Sequence, residues 1–214
     1  GVTLEIDKGE KYPEQSGAFE AAKIFCEVVL KEAEKRYDKF EEKNLKEIFE
    51  IGNKAVLNYN NLHGRNKKTI NYFNFDLFSA TTAFLLIKDK KAFWFSLCDS
   101  GVKLFNKNGK KIFNSPDGWS YFPKDWDETK NKKEKVITRH RDYRNAVKDG
   151  KLTGYGVTNG EESAIAYLNV GALETSNGDL IFVHTDGFEN YFKLKEFVDI
   201  FKTSQEDVGD KLET

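Results

Sequence analysis

The chain has 214 residues, which is enough for one large domain or two small ones, each with a buried core. Hydrophobic residues make up 39% of it and aromatic residues 14%, so a disordered chain is excluded. Lys and Arg number 34 against 35 Asp and Glu, and a net charge of -1 excludes a general electrostatic attraction to nucleic acid or anionic lipid. We therefore expect a globular protein that binds neither nucleic acid nor membranes.

The cysteines and the lengths of the apolar runs indicate the cellular compartment of the protein. Cys26 lies in a helical pattern and Cys98 in a strand pattern, so we expect core positions for both and no disulfide framework. This usage favours a reducing, cytoplasmic setting. We also expect no membrane span or signal peptide, because no apolar run approaches the length of about 20 residues that a spanning helix needs.

The N-terminal third predicts one strand and two helices. Residues 2–6 alternate between apolar and polar and predict a short strand that ends at Asp7. Apolar residues then recur with helical spacing over 17–37, behind Ser16 as a possible N-cap, and again over 43–62. We expect these two helices to pack together as a hairpin.

Strands dominate the middle of the chain. Residues 81–87 and 92–97 are apolar, β-branched or aromatic runs joined by a hairpin turn. Residues 102–105 and 110–113 flank an Asn-Gly turn, which favours a second hairpin. An antiparallel meander is the simplest arrangement of these four strands.

The C-terminal half begins with residues 114–160, which show no regular pattern. Residues 172–175 and 180–184 follow as two strands around a turn. Residues 188–201 and 204–214 have helical patterns, the second capped by its first residue. Together these elements indicate one α+β domain with helices outside an antiparallel sheet system.

Three acidic residues occupy equivalent places in this pattern. Asp7, Asp99 and Asp186 each stand at the end of a predicted strand, with a glycine within two residues. If the strand ends meet, the carboxylates repel one another, and a divalent cation with oxygen ligands relieves that repulsion. Mg²⁺ or Mn²⁺ suits such a site, whereas no His or Cys spacing suits Zn²⁺. An ordinary Asp-Gly turn remains the alternative at each position.

Several longer segments follow one another in a characteristic order. They are Asp7-Lys8-Gly9, the helix AFEAAKIFCEVV, and then SATTAFLLI, FSLCDSGVKLF and GDLIFVHTDGFENYF. Their order and approximate spacing resemble the metal-dependent protein phosphatase 2C family over nearly the whole chain. The most specific segment is GDLIFVHTDG, followed by LCDSGV.

The resemblance implies both a fold and an activity. The fold is a four-layer βααβ sandwich, with two mainly antiparallel sheets flanked by helical hairpins, and residues 1–214 form a single domain in which 114–160 are the variable flap region. The activity is that of a protein serine/threonine phosphatase that hydrolyses phosphomonoesters of a phosphoprotein substrate. Two or more Mg²⁺ or Mn²⁺ ions activate a water for this reaction, so no catalytic side chain is needed.

The resemblance also implies the metal ligands. They are Asp7, Lys8 through its backbone carbonyl, Asp186, and Asp99 at a weaker third ion. Lys8 stands where the family usually has Gly, and neither the family's N-terminal strand with its phosphate-binding arginine nor its C-terminal metal-binding Asp is visible, so truncation at both ends stays open. These departures motivate an alternative, a catalytically impaired phosphatase-like scaffold that binds a partner protein or a phosphoprotein.

Two further groups of side chains have more than one interpretation. Arg139, Arg141 and Arg144 lie close together, and guanidinium groups pair bidentately with phosphate oxygens, although a solvated surface is the favoured interpretation. His184 precedes Asp186 on a strand, and we expect it to be a packed residue that supports the site, with a role as an acid as the alternative.

Overall fold

The computed structural model describes residues 16–72, 75–123 and 132–200. The predicted strand over 2–6 and the predicted helix over 204–214 lie outside the described residues, as do Asp7 and Lys8. The described chain forms two three-stranded sheets, a two-stranded hairpin and several helices.

The two predicted N-terminal helices are present and pack together, which confirms the helical hairpin. Helix α1 spans Gly17–Arg36, and its N-cap Ser16 accepts a hydrogen bond from the Phe19 amide at 3.1 Å. A 3₁₀ turn, Tyr37–Lys39, leads towards helix α2, Lys43–Leu62. The helices approach closely at Gly52, where an added Cβ would lie 2.7 Å from Val29 Cγ2 and 2.8 Å from the Phe25 ring.

Cys26 is exposed, so its prediction as a core residue was wrong. The buried stripe of α1 repeats every four residues, through Ala21, Phe25, Val29 and Ala33. Cys26 follows Phe25 by one residue and is rotated by about 100° around the helix axis, which places it outside this narrow stripe. Cys98 is buried, as predicted.

The first sheet lies against the helical hairpin. Its strands are β1 (Thr82–Lys88), β2 (Lys91–Leu97) and β7 (Asn169–Glu174), in the order β1-β2-β7. Phe95 of β2 contacts the rings of Phe25 and Phe49, with centroids 6.2 and 5.7 Å apart. Strand β2 is buried at every residue after Lys91, because the sheet is covered on both faces, and this explains its continuous apolar run.

Strand β3 belongs to a second sheet and does not pair with β2, so the predicted four-stranded meander was wrong. Its strands are β3 (Gly101–Phe105), β4 (Lys111–Asn114) and β8 (Leu180–His184), in the order β4-β3-β8. Between β2 and β3, Cys98 has a φ of 66°, a left-handed conformation that interrupts the extended chain. The chain thereby leaves the first sheet and enters the second.

The two sheets face each other in the middle of the molecule. Trp94 of β2 packs against Phe113 of β4, with centroids 5.0 Å apart. On the outer face of the second sheet, Phe105 and Phe182 pack with Phe197 and other residues of the C-terminal helices. The layers therefore run helices, sheet, sheet, helices, which confirms the α+β sandwich with two central sheets flanked by helices. The layer order is αββα and not βααβ, because the apolar faces of the two sheets pack against each other.

The predicted single helix over 188–201 was wrong. The chain instead forms α4 (Asp186–Glu189), a 3₁₀ turn (Tyr191–Lys193) and α5 (Lys195–Ile200). Leu194 is extended between the last two elements, with φ -82° and ψ 125°. Phe192 and Phe197 are five residues apart, a spacing that turns two side chains away from each other on a continuous helix. The break lets their rings meet, with centroids 5.6 Å apart.

Residues 114–160 contain regular elements that the sequence pattern did not indicate. They are α3 (Lys132–Thr138), a turn of π-helix (Arg139–Tyr143), and the hairpin of β5 (Val147–Lys148) and β6 (Lys151–Leu152).

Across the described residues, no helix combines the length and the apolarity that crossing a bilayer would require.

The close approach at Gly52 predicts a large effect of a small side chain. Gly52→Val should lower the free energy of unfolding by about 1–3 kcal/mol, because the added methyl groups force α1 and α2 apart. Urea unfolding measures this change. Lys54→Val places the same side chain on an exposed position of α2 and should cost much less. Equal losses in the two variants would contradict the close contact.

Candidate metal centre

The pairing of β3 with β8 brings two of the three predicted acidic residues to one edge of the second sheet. In this antiparallel pair, Gly101 lies opposite His184 and Val102 opposite Val183. Asp99 stands two residues before Gly101, and Asp186 stands two residues after His184. Each therefore lies just beyond the last pair, at the same edge of the sheet.

The electrostatics of Asp99 show that the two carboxylates interact. Burial raises the pKa of Asp99, the nearby Asp186 carboxylate raises it further, and a hydrogen bond with Thr81 acts in the opposite direction. Oδ1 of Asp99 is buried and has no hydrogen-bond partner within the described ranges. A divalent cation would neutralise this repulsion and coordinate the unpartnered oxygen, so these residues fit a Mg²⁺ or Mn²⁺ site.

The described residues supply only part of such a site. In the three described ranges, no group of three or more His, Cys, Asp or Glu side chains could hold a metal ion. Asp7 and Lys8, which the resemblance implies as ligands, lie outside those ranges. Of the ligands that the resemblance implies, the structure describes Asp99 and Asp186, just beyond the paired ends of β3 and β8.

An ion pair between a buried lysine and a partly exposed glutamate holds the segment that carries Asp186. Lys103, in the middle of β3, is only 2% exposed, and its Nζ lies 2.7 Å from Oε2 of Glu189 in α4. The Lys103 ammonium also donates to the side-chain carbonyl of Asn114. A buried ammonium is costly unless it is paired, so this contact ties α4 to β3. The sequence signal for it is the lysine inside the apolar strand GVKLF.

His184 is packed against β3, in agreement with its prediction as a packed residue. An added Cβ on Gly101 would lie 3.0 Å from His184 Nε2 and 2.8 Å from Ser115 Oγ, so glycine is needed where the ring crosses β3. The imidazole also packs edge-on against Phe192, with centroids 5.2 Å apart. Burial lowers the pKa of His184, which favours the neutral imidazole.

An aromatic wall, formed by Trp119, Phe122, Tyr143 and Tyr155, packs around Cys98 and therefore next to Asp99. Trp119 stacks on Tyr155 with centroids 4.7 Å apart, and the Gly118 amide donates to the Cys98 carbonyl at 3.1 Å. Burial raises the pKa of the Cys98 thiol far above its usual range, so this cysteine is not a thiolate nucleophile.

A buried cluster that the sequence did not reveal lies behind this wall. Both oxygens of Asp76 accept hydrogen bonds from the Arg144 guanidinium, at 2.9 and 3.0 Å, and His140 Nδ1 lies 2.8 Å from Oδ2. Burial alone would raise the pKa of Asp76, but the His140 hydrogen bond and the Arg144 charge hold it well below its usual range. Arg144 is thus a structural residue, and the clustered arginines do not act as one group.

Comparison with known proteins identifies a family and a related fold. The family model described as protein phosphatase 2C matches residues 15–211. Among solved structures, the catalytic domain of the serine threonine protein phosphatase PstP, in complex with two manganese ions, matches with a TM-score of 0.53 and 12% identity, over 89% of this chain and 73% of that chain. At this identity the likeness shows the fold alone. A search of curated proteins found no significant match.

The Asp76 cluster predicts a strong loss of stability in one variant. Asp76→Asn should lower the free energy of unfolding by about 3 kcal/mol, because it leaves the Arg144 charge buried without a carboxylate. Glu174→Gln removes an exposed carboxylate that lies 3.7 Å from Lys91, and urea unfolding should show a change below about 1 kcal/mol.

The same cluster predicts a dependence on pH. The folded-state pKa of Asp76 is depressed, so its contribution is complete above the unfolded value of about 3.9 and is lost as the pH falls below it. Asp76→Asn should remove this component from the acid unfolding curve. An unchanged curve would contradict the ion pair.

The repulsion between Asp99 and Asp186 predicts that stability depends on pH with the opposite sign. Its folded-state pKa is raised, so ionisation costs stability as the pH rises from about 3.9 through the folded value. Without divalent cation, Asp99→Asn should raise the melting temperature at pH 7. Mn²⁺ should raise the melting temperature of the unmodified chain more than that of Asp99→Asn. Asp179→Asn, at the opposite end of β8, should behave like the unmodified chain in both measurements.

Proposed function

Because the chain belongs to the protein phosphatase 2C family, we propose that it is a protein serine/threonine phosphatase that depends on Mg²⁺ or Mn²⁺. The observation that carries this proposal is the pairing of β3 with β8, whose ends lead to Asp99 and Asp186 at one edge of the second sheet. There, Oδ1 of Asp99 is buried and has no hydrogen-bond partner among the described residues. The PstP catalytic domain, which shares the fold, was solved with two manganese ions, and this supports the choice of cation.

In this proposal the carboxylates hold the cations. Asp186 and Asp99 supply oxygen ligands, and Asp7 together with the backbone carbonyl of Lys8 completes the set. When bound, the ions supply Lewis-acid activation of a water and neutralise charge on the phosphoryl oxygens. The Lys103–Glu189 pair keeps α4, and with it Asp186, against β3.

The environments of Cys98 and His184 suit these side chains to positioning and not to nucleophilic attack. Burial raises the pKa of the Cys98 thiol, so it stays protonated at neutral pH. Burial lowers the pKa of His184, whose ring is packed between Gly101 and Phe192. Attack by a water rather than by a side chain agrees with both environments.

The substrate in this proposal is a phosphoprotein. Residues 114–160 form the variable flap region of a single domain over 1–214, and their aromatic wall adjoins Cys98 and Asp99. Trp119 and Phe122 of this wall are partly exposed, and flat aromatic side chains bind peptide segments with little loss of conformational entropy. We therefore assign substrate selection to this wall.

The decisive experiment is the release of phosphate from a phosphoserine peptide in the presence of Mn²⁺. The unmodified chain should require the cation and lose activity with a chelator, and Asp186→Ala should reduce turnover by at least about a hundredfold, since it removes a metal ligand. Asp179→Ala removes a carboxylate at the other end of β8 and should retain activity.

Two outcomes would contradict the proposal. Turnover that survives Asp186→Ala, or that does not respond to chelation, would reject the metal centre. A chain that binds the phosphopeptide without releasing phosphate would instead favour the phosphatase-like scaffold.

A further inference from the structure

Helix α1 carries a second row of apolar side chains, which faces solvent. Each residue turns by about 100° around the helix axis, so positions 26, 30 and 37 lie within about 20° of position 19. Tyr37 caps the helix and keeps helical backbone angles, with φ -49° and ψ -48°. The members of this outer row are Phe19 (47% exposed), Cys26 (exposed), Leu30 (62%) and Tyr37 (46%). Single exposed apolar residues are ordinary, but four in one straight row are typical of a surface that contacts another protein.

The spacing of the outer row is the same from either end. Its members are seven, four and seven residues apart, and these intervals occur along the seam of a coiled coil. If two copies of α1 lie antiparallel around a two-fold axis, Phe19 of each copy lies opposite Tyr37 of the other. Cys26 of each copy likewise lies opposite Leu30 of the other, so every apolar side chain of the row has an apolar partner. A surface that matches its own copy in this way suits a symmetric homodimer.

Charged side chains beside the outer row also fit this arrangement. Lys23 and Glu34 are exposed, and neither forms an ion pair within the described ranges. In the antiparallel pair, Lys23 of each copy lies within about one residue of the position opposite Glu34 of the other, so the axis creates two attractive contacts. Glu27 approaches its own copy across the axis, which adds one repulsive contact. Glu20, on the same flank, accepts a hydrogen bond from the Tyr59 hydroxyl of α2 at 3.4 Å. The balance of charges therefore favours a second copy in this register.

We propose that two copies of this chain associate through the outer row of α1 as an antiparallel, two-fold symmetric dimer. The contact is one pair of helices, each about 30 Å long, which is small for a protein–protein interface. We therefore expect a reversible dimer with a dissociation constant in the micromolar range. The proposal does not depend on phosphatase activity, because α1 packs on the first sheet and carries none of the proposed metal ligands.

Sedimentation equilibrium of the full chain tests the dimer. Leu30→Lys should weaken association at least about a hundredfold, because each copy loses an apolar contact and brings a charge into the interface. Leu194→Lys is the matched control: Leu194 is 50% exposed and lies among the C-terminal helices outside the second sheet, so the dimer should persist unchanged. The melting temperature of each variant checks that it is folded. A chain that is monomeric far above micromolar concentration, or equal effects of the two substitutions, would overturn the proposal.

Charge reversal tests the antiparallel register. Lys23→Glu and Glu34→Lys should each weaken association by about tenfold, because each turns two attractive contacts across the axis into repulsive ones. The double variant restores opposite charges and should recover the affinity of the unmodified chain. Lys23 and Glu34 are about three helical turns apart on α1, so this recovery cannot arise within one copy. A double variant that associates no better than the single variants would reject the register.

Chemical cross-linking at the exposed thiol of Cys26 tests the geometry. In the proposed dimer the two Cys26 residues lie four positions apart along the helix axis, about 6 Å, on facing sides of the two helices. A short bis-maleimide should therefore link two copies of the unmodified chain, and Cys26→Ser should abolish the product, since Cys98 is buried. Cross-linking should be lost in Leu30→Lys and kept in Leu194→Lys. A dimer that sediments as such but is not linked through Cys26 would place the interface on another surface and contradict the proposal.

Discussion

The hydrogen-bonded register between β3 and β8 is the constraint from which the site follows. Because Gly101 lies opposite His184, residues 99 and 186 reach the same edge although they are far apart along the chain. A shift of one residue would move the side chains of a strand to the other face of the sheet. The ion pair of the buried Lys103 with Glu189 adds a second contact between β3 and the helix that follows β8.

Buried charges in this protein are paired where they support the fold. Arg144 has both oxygens of Asp76, and Lys103 has Glu189, so the cost of removing these ions from water is offset by strong hydrogen bonds. Uncharged polar contacts act in the same way: Asn60 Nδ2 donates to the carbonyls of Phe78 and Asn159, both at 3.0 Å, and fastens two loops to α2. Fully satisfied networks of this kind stabilise one arrangement of the loops around the sandwich.

The edge at Asp99 is built differently. There Cys98 has a left-handed backbone, and Asp99 has a raised pKa and an oxygen without a partner among the described residues. Each feature costs free energy on its own, and the two occur at adjacent residues beside the aromatic wall. Such a concentration is typical of sites whose groups are completed by a ligand.

Periodicity in the sequence was sufficient to predict α2 and β8 at the bounds that the structure shows and α1 to within one residue, because the burial of one face repeats along each element. The placement of Asp99 and Asp186 at strand ends, and the family, were also accessible from local motifs. The division of the strands into two sheets was not, since it depends on the turn at Cys98 and on pairing between β3 and the distant β8. The different environments of Arg141 and Arg144 were equally inaccessible: Arg144 is buried because the carboxylate of Asp76 reaches it from a distant part of the chain, and contacts over that separation leave no periodic signal in the sequence.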